Sequence, residues 1–277
     1  MIKNKSSIAK QGALYVVLTV LLLLAFVPIF LMISVSLKST YQLNTDFWGL
    51  PNPVFWENYA VAFSGIYINM LNSFVYVALA VLLLVFLAAM GGYVFAVLDF
   101  PGKNALFFLL MSMMMIPAIL TLTPRYVMIS DMGLKNNPLA LILPWVTGGQ
   151  VMAIVLCRTF IQQTPRAVFE SARLDGAGEF RIFLQFAAPL AKPILTTVAI
   201  MNLISFYNDY LWPLMVIGES RLQVATVAIE SFMADSGNDG MGQSVAGFTL
   251  ITLPLLILFT FTSRIYMEGL TSGALKA

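Results

Sequence analysis

The chain has 277 residues, of which 60% are hydrophobic and 10% are charged, and its formal net charge at pH 7 is +2. Since a soluble domain carries about 25% charged residues, this composition predicts a polytopic membrane protein. The sequence has no histidine, so it lacks the commonest metal ligand and the commonest general base, which argues against an enzyme. Its one cysteine, Cys157, excludes a disulfide framework. The small net charge does not indicate a nucleic-acid partner.

Charge-free apolar windows long enough to cross a bilayer, about 20 residues at about 1.5 Å each, recur along the chain. The first one, from Ala13 to Ile33, is longer than the apolar region of a signal peptide, about 7–15 residues, and predicts a retained transmembrane helix. We predict an all-α membrane protein with a single transmembrane domain over residues 1–277. Its six spans are placed at residues 11–37, 69–98, 104–124, 136–157, 193–218 and 241–263, and a cytoplasmic loop at residues 158–192.

The distribution of lysine and arginine predicts the orientation. Four basic residues, Lys38, Arg125, Lys135 and Arg221, fall in the segments that lie outside when the N-terminus is inside. The other 11 of the 15 basic residues then fall in cytoplasmic segments, which membrane proteins enrich in Lys and Arg. Both termini are therefore predicted to be cytoplasmic.

Two further patterns in the predicted spans have more than one interpretation. Asn69, Asn72, Ser73 and Tyr76 share a helical face, and they either line a cavity or bond between helices, which we favour. The methionines of Met111–Met115 resemble a copper site, but methionine is ordinary in a core or facing lipid. No metal site is predicted.

The segment Phe169–Pro193 carries acidic and basic side chains within an apolar chain. Thr164 is predicted to cap a short helix, Pro165 to occupy its first position, and Gly176 to end it. A second helix should follow and end at Pro189. Its apolar stripe is predicted from spacings of i, i+3, i+4 and i+7 at Phe180, Phe183, Leu184 and Ala187.

This helix–turn–helix is amphipathic and too polar to span a membrane. Such an element either lies on the inner leaflet or docks its face into a groove of a soluble partner. Its mixed acidic and basic charges favour docking, because helices that lie on lipid carry mainly Lys and Arg on their polar face.

The run from Glu170 to Ala177, with Pro189 further on, resembles the EAA motif of permease subunits in binding-protein-dependent ABC importers. Ser171 stands where that family usually has alanine, and Ala188 where it usually has leucine. The resemblance implies a type I importer permease fold and a coupling helix that seats in a cleft of an ATPase subunit. It assigns this contact to Glu170, Ser171, Ala172, Asp175, Gly176 and Ala177.

Two more stretches resemble the carbohydrate branch of that family, the shorter maltose-type permease. They are Asn208–Leu214 and the tail Gly269–Lys276, of which Thr271, Ser272 and Gly273 would contact the ATPase. The resemblance implies a permease in a bacterial or archaeal cell membrane, paired with a second related permease as a heterodimer. It further implies two ATPase subunits, an extracellular binding protein and transport of a mono- or oligosaccharide by alternating access.

The chain has no G-x-x-x-x-G-K-[ST] phosphate loop, so ATP and Mg²⁺ are expected on the ATPase subunits and no cofactor on this chain. The 17 residues from Lys192 to Asp209 correspond to about 25 Å of helix, which places Asp209 near the outer boundary. Asp209 therefore belongs either to an interfacial belt of aromatic residues or to a sugar pathway. The candidate pathway residues are Asn202, Tyr207, Asn208 and Asp209.

Alternative functions stay open on the sequence alone. The same machinery could carry a polyol, a glycerol phosphate or a glycoside. An ion-coupled secondary transporter would need paired ionisable groups near the middle of the membrane, and the sequence offers only Asp209, off-centre.

Overall fold

The computed structural model describes residues 5–237 and 240–274, and the side chains of residues 10–237 and 240–263 within them. Within these ranges every regular element is a helix, which confirms the all-α prediction. The four long helices are α1 (Lys5–Ser36), α3 (Glu57–Val97), α6 (Leu139–Ile161) and α13 (Met241–Ala274). Shorter ones are α2 (Thr40–Thr45), α4 (Lys103–Met113), α5 (Leu122–Asp131), α7 (Arg166–Leu174), α8 (Glu179–Ile182), α9 (Ala188–Leu190), α10 (Lys192–Tyr207), α11 (Leu211–Val216) and α12 (Ala225–Ser236).

Among the described residues, four helices are long and apolar enough to cross a membrane, at Lys10–Ser36, Glu57–Val97, Leu139–Ile161 and Met241–Ser263. The most apolar window of α1 has no buried residue, which suits a helix surrounded by lipid. The helix α3 begins at Glu57, ahead of the predicted start at residue 69. Its 41 residues would extend about 60 Å, twice the hydrocarbon thickness of about 30 Å, so part of α3 must project beyond it.

Two bent pairs of helices bring the number of candidate spans to six if each pair crosses once. The segments Lys103–Met113 and Ala118–Asp131 meet at 92°, and the segments Glu179–Leu190 and Lys192–Tyr207 meet at 77°. The first break contains Pro117, which lacks a backbone donor and disfavours helical geometry in the residue before it. The predicted third span is therefore interrupted. The predicted fifth span is also interrupted, between Tyr207 and Leu211.

The chain divides into two compact units. One comprises Met1–Tyr67 and Ile229–Leu253, and the other comprises Ile68–Ala228 and Pro254–Ala277. In the first unit Lys38 is fully buried, and its Nζ donates hydrogen bonds to the backbone oxygens of Asp46, at 3.1 Å, and Phe47, at 2.6 Å. These bonds hold the turn that follows α2.

The core of the second unit lies mainly between α3, α6 and α10, where small residues allow close approach. A Cβ atom on Gly92 would lie 2.5 Å from the Cβ of Cys157 and 3.0 Å from the backbone nitrogen of Arg158. Only glycine fits at this contact between α3 and α6. Buried residues that build the core include Tyr76, Val77, Ala80, Leu84, Ala88, Leu141, Trp145, Ala153, Val198 and Phe206.

We predict that Gly92→Ala destabilises the chain by about 1–3 kcal/mol, because the added methyl group overpacks the contact of α3 with α6. Gly148→Ala is the matched control, because Gly148 also lies in a long helix but a Cβ there meets nothing within 4 Å. Thermal unfolding of both variants in detergent micelles checks this. Equal midpoints for the two variants would contradict the close contact.

Candidate functional site: a helix–turn–helix held by Tyr93

The helix–turn–helix predicted from residue 164 onward is present, and its turn is made by Gly176. The first helix, α7, begins at Arg166 rather than at Pro165, and Pro165 is its capping residue, so the prediction of Thr164 as the cap is wrong. The cause is the extended backbone of Pro165, with ψ at 129°. Gly176 has a φ of +80°, which confirms the predicted glycine end. The amide of Ala177 donates to the oxygen of Ala172 at 3.0 Å, as in a Schellman motif.

The second helix differs from its prediction at Pro189. Helical structure continues to Leu190, so the predicted end at Pro189 is wrong. A π-helical turn at Phe183–Ala187 comes first, in which the amide of Ala188 donates to the oxygen of Phe183. This wider turn gives room for the proline ring, which would clash with the carbonyl four residues earlier in a regular α-helix.

The buried face of the second helix differs in part from the predicted stripe. Phe183 and Ala187 are buried as the stripe predicts, but Phe180 and Leu184 are exposed, by 58% and 46%. Ile182, which lies outside the predicted stripe, is fully buried. Phe180 and Ile182 precede the π turn, so the buried face already departs from the predicted stripe within α8.

Tyr93, on α3, contacts both helices of the loop. The buried Tyr93 ring lies 6.0 Å from the ring of Phe169 on α7 and 5.8 Å from that of Phe183, between ring centroids. The Tyr93 hydroxyl donates a hydrogen bond of 2.5 Å to Oε2 of Glu179 at the start of α8. One side chain thus fixes the loop to α3. The sequence reasoning missed Tyr93, although a tyrosine near the end of an apolar helix is a signal of a polar contact.

An ion pair closes the turn between α7 and α8. Arg173 donates from Nε to Oε1 of Glu179 at 2.6 Å and from Nη2 to Oε2 at 3.2 Å. The hydrogen bonds to Glu179 raise the pKa of the Arg173 guanidinium above its usual value. Both side chains are partly exposed, so the pair contributes little free energy and serves mainly to orient the turn. The charges of Arg173 and Glu179 are therefore paired with each other. A partner of the loop would meet its other charged side chains.

The end of α7 forms an exposed tip, defined here as Glu170, Ser171, Leu174 and Asp175. All four side chains are exposed, and Leu174 is the extreme case at 89%. Gly176 is exposed beside them, whereas the predicted contact residue Ala172 is buried in the core and Ala177 is half-buried. The sequence analysis did not identify Leu174. The signal that could have found it is its position, as an apolar residue directly before the Asp-Gly turn.

The predicted contact residues Thr271, Ser272 and Gly273 lie in α13, and their side chains fall outside the described part of the chain. Among the described residues, no group of three or more Cys, Asp or Glu side chains lies together so as to hold a metal ion.

Asp209 braces the end of α10 against α6. The indole Nε1 of Trp145 donates to Oδ2 of Asp209 at 2.7 Å, and the Trp145 ring stacks on Phe206 with centroids 5.5 Å apart. The Asp209 backbone oxygen accepts a 2.8 Å bond from Oγ1 of Thr226. The carboxylate therefore has a structural partner from a helix that is distant in sequence.

The asparagines among the other candidate pathway residues bond to the backbone of their own segment. The amides of Asn202 and Asn208 each donate to the backbone oxygen four residues earlier, at 2.9 and 2.8 Å. Tyr207 is buried and lines an apolar cavity of about 130 Å³ beside Phe74. A different polar atom stands out on α6, since Oε1 of Gln150 is buried and has no hydrogen-bond partner among the described residues.

The polar face predicted on α3 bonds within the protein. Asn69 and Asn72 both donate to the backbone oxygen of Gln223, at 3.0 and 3.1 Å, and Ser73 accepts from the amide of Ala225 at 2.8 Å. These bonds fasten the segment before α12 and support the packing interpretation over a cavity.

Comparison with known families identifies the chain. The family described as the binding-protein-dependent transport system inner membrane component matches residues 64–269. The chain belongs to this family. It is accordingly a multi-pass membrane protein with a transport role.

Curated relatives are similar over nearly their full length. The permease protein of an arabinooligosaccharide transport system from Bacillus subtilis (strain 168) is 31% identical over 95% of each chain. The permease protein of a trehalose transport system from Mycobacterium tuberculosis (strain CDC 1551 / Oshkosh) is 32% identical over 97% of this chain and 99% of its own.

A solved structure shares the fold. A chain of a bacterial ABC transporter involved in the import of the acidic polysaccharide alginate superposes with a TM-score of 0.84 and is 20% identical. The match covers 95% of this permease and 99% of that chain. The fold is therefore that of an ABC importer permease, as the motif resemblance implies.

We predict that Tyr93→Phe loosens the helix–turn–helix while keeping the ring contacts with Phe169 and Phe183. The lost hydrogen bond to the Glu179 carboxylate is worth about 1.5–3 kcal/mol. Amide hydrogen exchange of α7 and α8 should therefore accelerate by roughly tenfold or more. Tyr67→Phe, in the same helix α3, is the control and should leave this exchange unchanged. Equal exchange in both variants would show that Tyr93 does not hold the loop.

Proposed function

We propose that the chain is the membrane-spanning permease subunit of an ATP-driven importer that carries a mono- or oligosaccharide by alternating access. The permeases for arabinooligosaccharide and trehalose support the carbohydrate assignment, because they are similar along nearly the whole chain. The proposed coupling to an ATPase rests on one observation: the exposed tip lies on a loop that is fixed to α3. A polyol, glycerol phosphate or glycoside would use the same machinery.

In this proposal the exposed tip is the contact with an ATPase subunit. Leu174 offers an apolar group and Glu170 and Asp175 offer carboxylates, which suits a groove with an apolar floor and basic walls. Ser171 and Gly176 complete the contact surface. The buried Ala172 and the half-buried Ala177 act from behind by fixing the shape of the tip, and the tail residues Thr271, Ser272 and Gly273 form a second contact.

ATP and Mg²⁺ are bound by two separate ATPase subunits, because this chain has no phosphate-loop sequence. Closure of those subunits moves the exposed tip. Tyr93 passes the displacement to α3, and the sharp bend after Leu190 passes it to α10. Rigid-body movement of these helices changes the side of the membrane on which the pathway is open.

Family membership supports the remaining partners of this proposal. A second, related permease completes the pathway as a heterodimer, and an extracellular binding protein delivers the sugar. The loop and both termini lie on the cytoplasmic side, in agreement with the distribution of Lys and Arg.

Within the pathway we propose that the contact of α6 with α10 is the part that meets sugar hydroxyl groups. Gly149 and Asn202 touch at this contact, and the neighbouring Gln150 has a buried oxygen that needs a donor. Asp209 braces Trp145 of α6 at the end of α10, and Tyr207 and Asn208 directly precede it in the chain. A sugar hydroxyl group is a suitable donor for Gln150 during passage.

We predict that Gly176→Val lowers sugar uptake by at least tenfold in proteoliposomes that contain the assembled transporter. The positive φ of Gly176 costs a β-branched residue about 1–3 kcal/mol, so the exposed tip changes shape. Membrane insertion should be normal, and ATP hydrolysis should no longer respond to the loaded binding protein.

Gly178→Val is the matched control for this variant. Gly178 lies two residues away, has a φ of −71° and a ψ of 157°, and a Cβ there meets nothing within 4 Å. A β-branched residue adopts this extended backbone freely, so uptake should be retained. Normal uptake in Gly176→Val, or an equal loss in Gly178→Val, would overturn the role of the turn.

A further inference from the structure

A polar cavity of about 460 Å³ lies where α3 and α6 end and α4 and α7 begin. It is on the same side of the protein as the exposed tip, because Arg166 is both part of its lining and the first residue of α7. Its lining includes three cationic side chains, Lys103, Arg158 and Arg166, and one acidic side chain, Asp99. The cavity therefore has an excess of positive charge, which an anion would balance.

Two of the three cations are held in place by other contacts. Arg158 donates from Nε to the Phe95 oxygen at 3.2 Å, and its guanidinium lies 3.8 Å from the ring centroid of Phe107. The Nζ of Lys103 donates to the Leu98 oxygen at 2.6 Å and to Oδ1 of Asp99 at 3.2 Å. These contacts fix two positive charges at the cavity before any ligand arrives, which lowers the ordering cost of binding.

The third cation is free to rearrange. Arg166 pairs with Asp99 at 3.6 Å, and both side chains are about two-thirds or more exposed, at 68% and 73%. Exposed pairs of this kind contribute about 0–1 kcal/mol. Arg166 can therefore exchange Asp99 for a stronger acceptor, and a phosphate offers bidentate bonds to a guanidinium.

The cavity opens beside apolar surface. Phe108 and Leu109, one to two turns into α4 from the lining residues Lys103 and Ala105, are strongly exposed. α4 belongs to a candidate span, so these side chains suit contact with acyl chains. A soluble anion would use the charges alone, whereas a phospholipid would use the charges and the neighbouring apolar surface together.

We propose that this cavity binds the phosphodiester headgroup of an anionic phospholipid, with its acyl chains along α4. Basic pockets between membrane helices on the cytoplasmic side suit such headgroups. The lipid links Arg166, at the start of the loop, to the turn between α3 and α4. The binding itself is independent of the proposed function, and only an effect on coupling would rest on it.

Native mass spectrometry of the full-length chain in detergent micelles tests this proposal, with phosphatidylglycerol and phosphatidylcholine as probes. The test variant is Lys103→Gln combined with Arg166→Gln, which leaves the Arg158 contacts intact. The control is Arg181→Gln combined with Lys192→Gln, which removes one Arg and one Lys outside the cavity. Thermal unfolding establishes that both variants are folded.

We expect the wild-type chain and the control to bind phosphatidylglycerol in preference to phosphatidylcholine. The cavity variant should lose phosphatidylglycerol affinity by on the order of tenfold, as the loss of two cations predicts. If the cavity variant fails to fold, Lys103→Arg combined with Arg166→Lys keeps the charges and should keep the preference.

Three results would overturn the proposal. One is equal phosphatidylglycerol binding by the cavity variant and the control. Another is no preference for phosphatidylglycerol in the wild-type chain together with binding of inorganic phosphate, which would make this a site for a soluble anion. The third is loss of the phosphatidylglycerol preference in the folded variant Lys103→Arg combined with Arg166→Lys, which keeps both charges.

Discussion

The hydrogen bond from Tyr93 to Glu179, with the two ring contacts around it, is the constraint on which the loop depends. Within the described part of the chain, it is the polar link that joins α8, and through Arg173 also α7, to the long helix α3. The same carboxylate also receives Arg173, so one residue joins the turn of the loop to α3. Because the loop is fixed at this point, the exposed tip has a defined position and can transmit a displacement.

The tight contact of α3 with α6 makes that transmission useful. Gly92 lies one residue from Tyr93 and is in close contact with Cys157, so a force on Tyr93 acts where α3 packs tightly on α6. Further along α6, Trp145 reaches Asp209 at the end of α10. The loop is thereby connected through packed side chains to the helices that would line a pathway, which suits the movement of rigid helices rather than of a flexible loop.

Local chemistry explains which features the sequence predicts well. Composition and charge-free windows predict the helical class, because lipid requires backbone groups to be paired within a helix. Gly176 is predictable because the chain must take a positive φ after α7. The predicted end at Pro189 assumes a regular 3.6-residue helix, whereas the chain makes a π turn. The predicted stripe already fails at Phe180 and Ile182, before that turn, because tertiary packing decides which face of α8 is buried. Contacts that join distant positions, such as Trp145 with Asp209 or Tyr93 with Glu179, leave no local pattern.

The central claim is that the exposed tip meets the ATPase, and photo-crosslinking from Leu174 tests it most directly. A photoreactive phenylalanine analogue would replace Leu174 in the assembled transporter, and a second version would carry it at Trp48, which is also strongly exposed. The account predicts a crosslink to the ATPase subunit from position 174 and none from position 48. A crosslink to the ATPase from position 48, or none from position 174 in an active transporter, would contradict it.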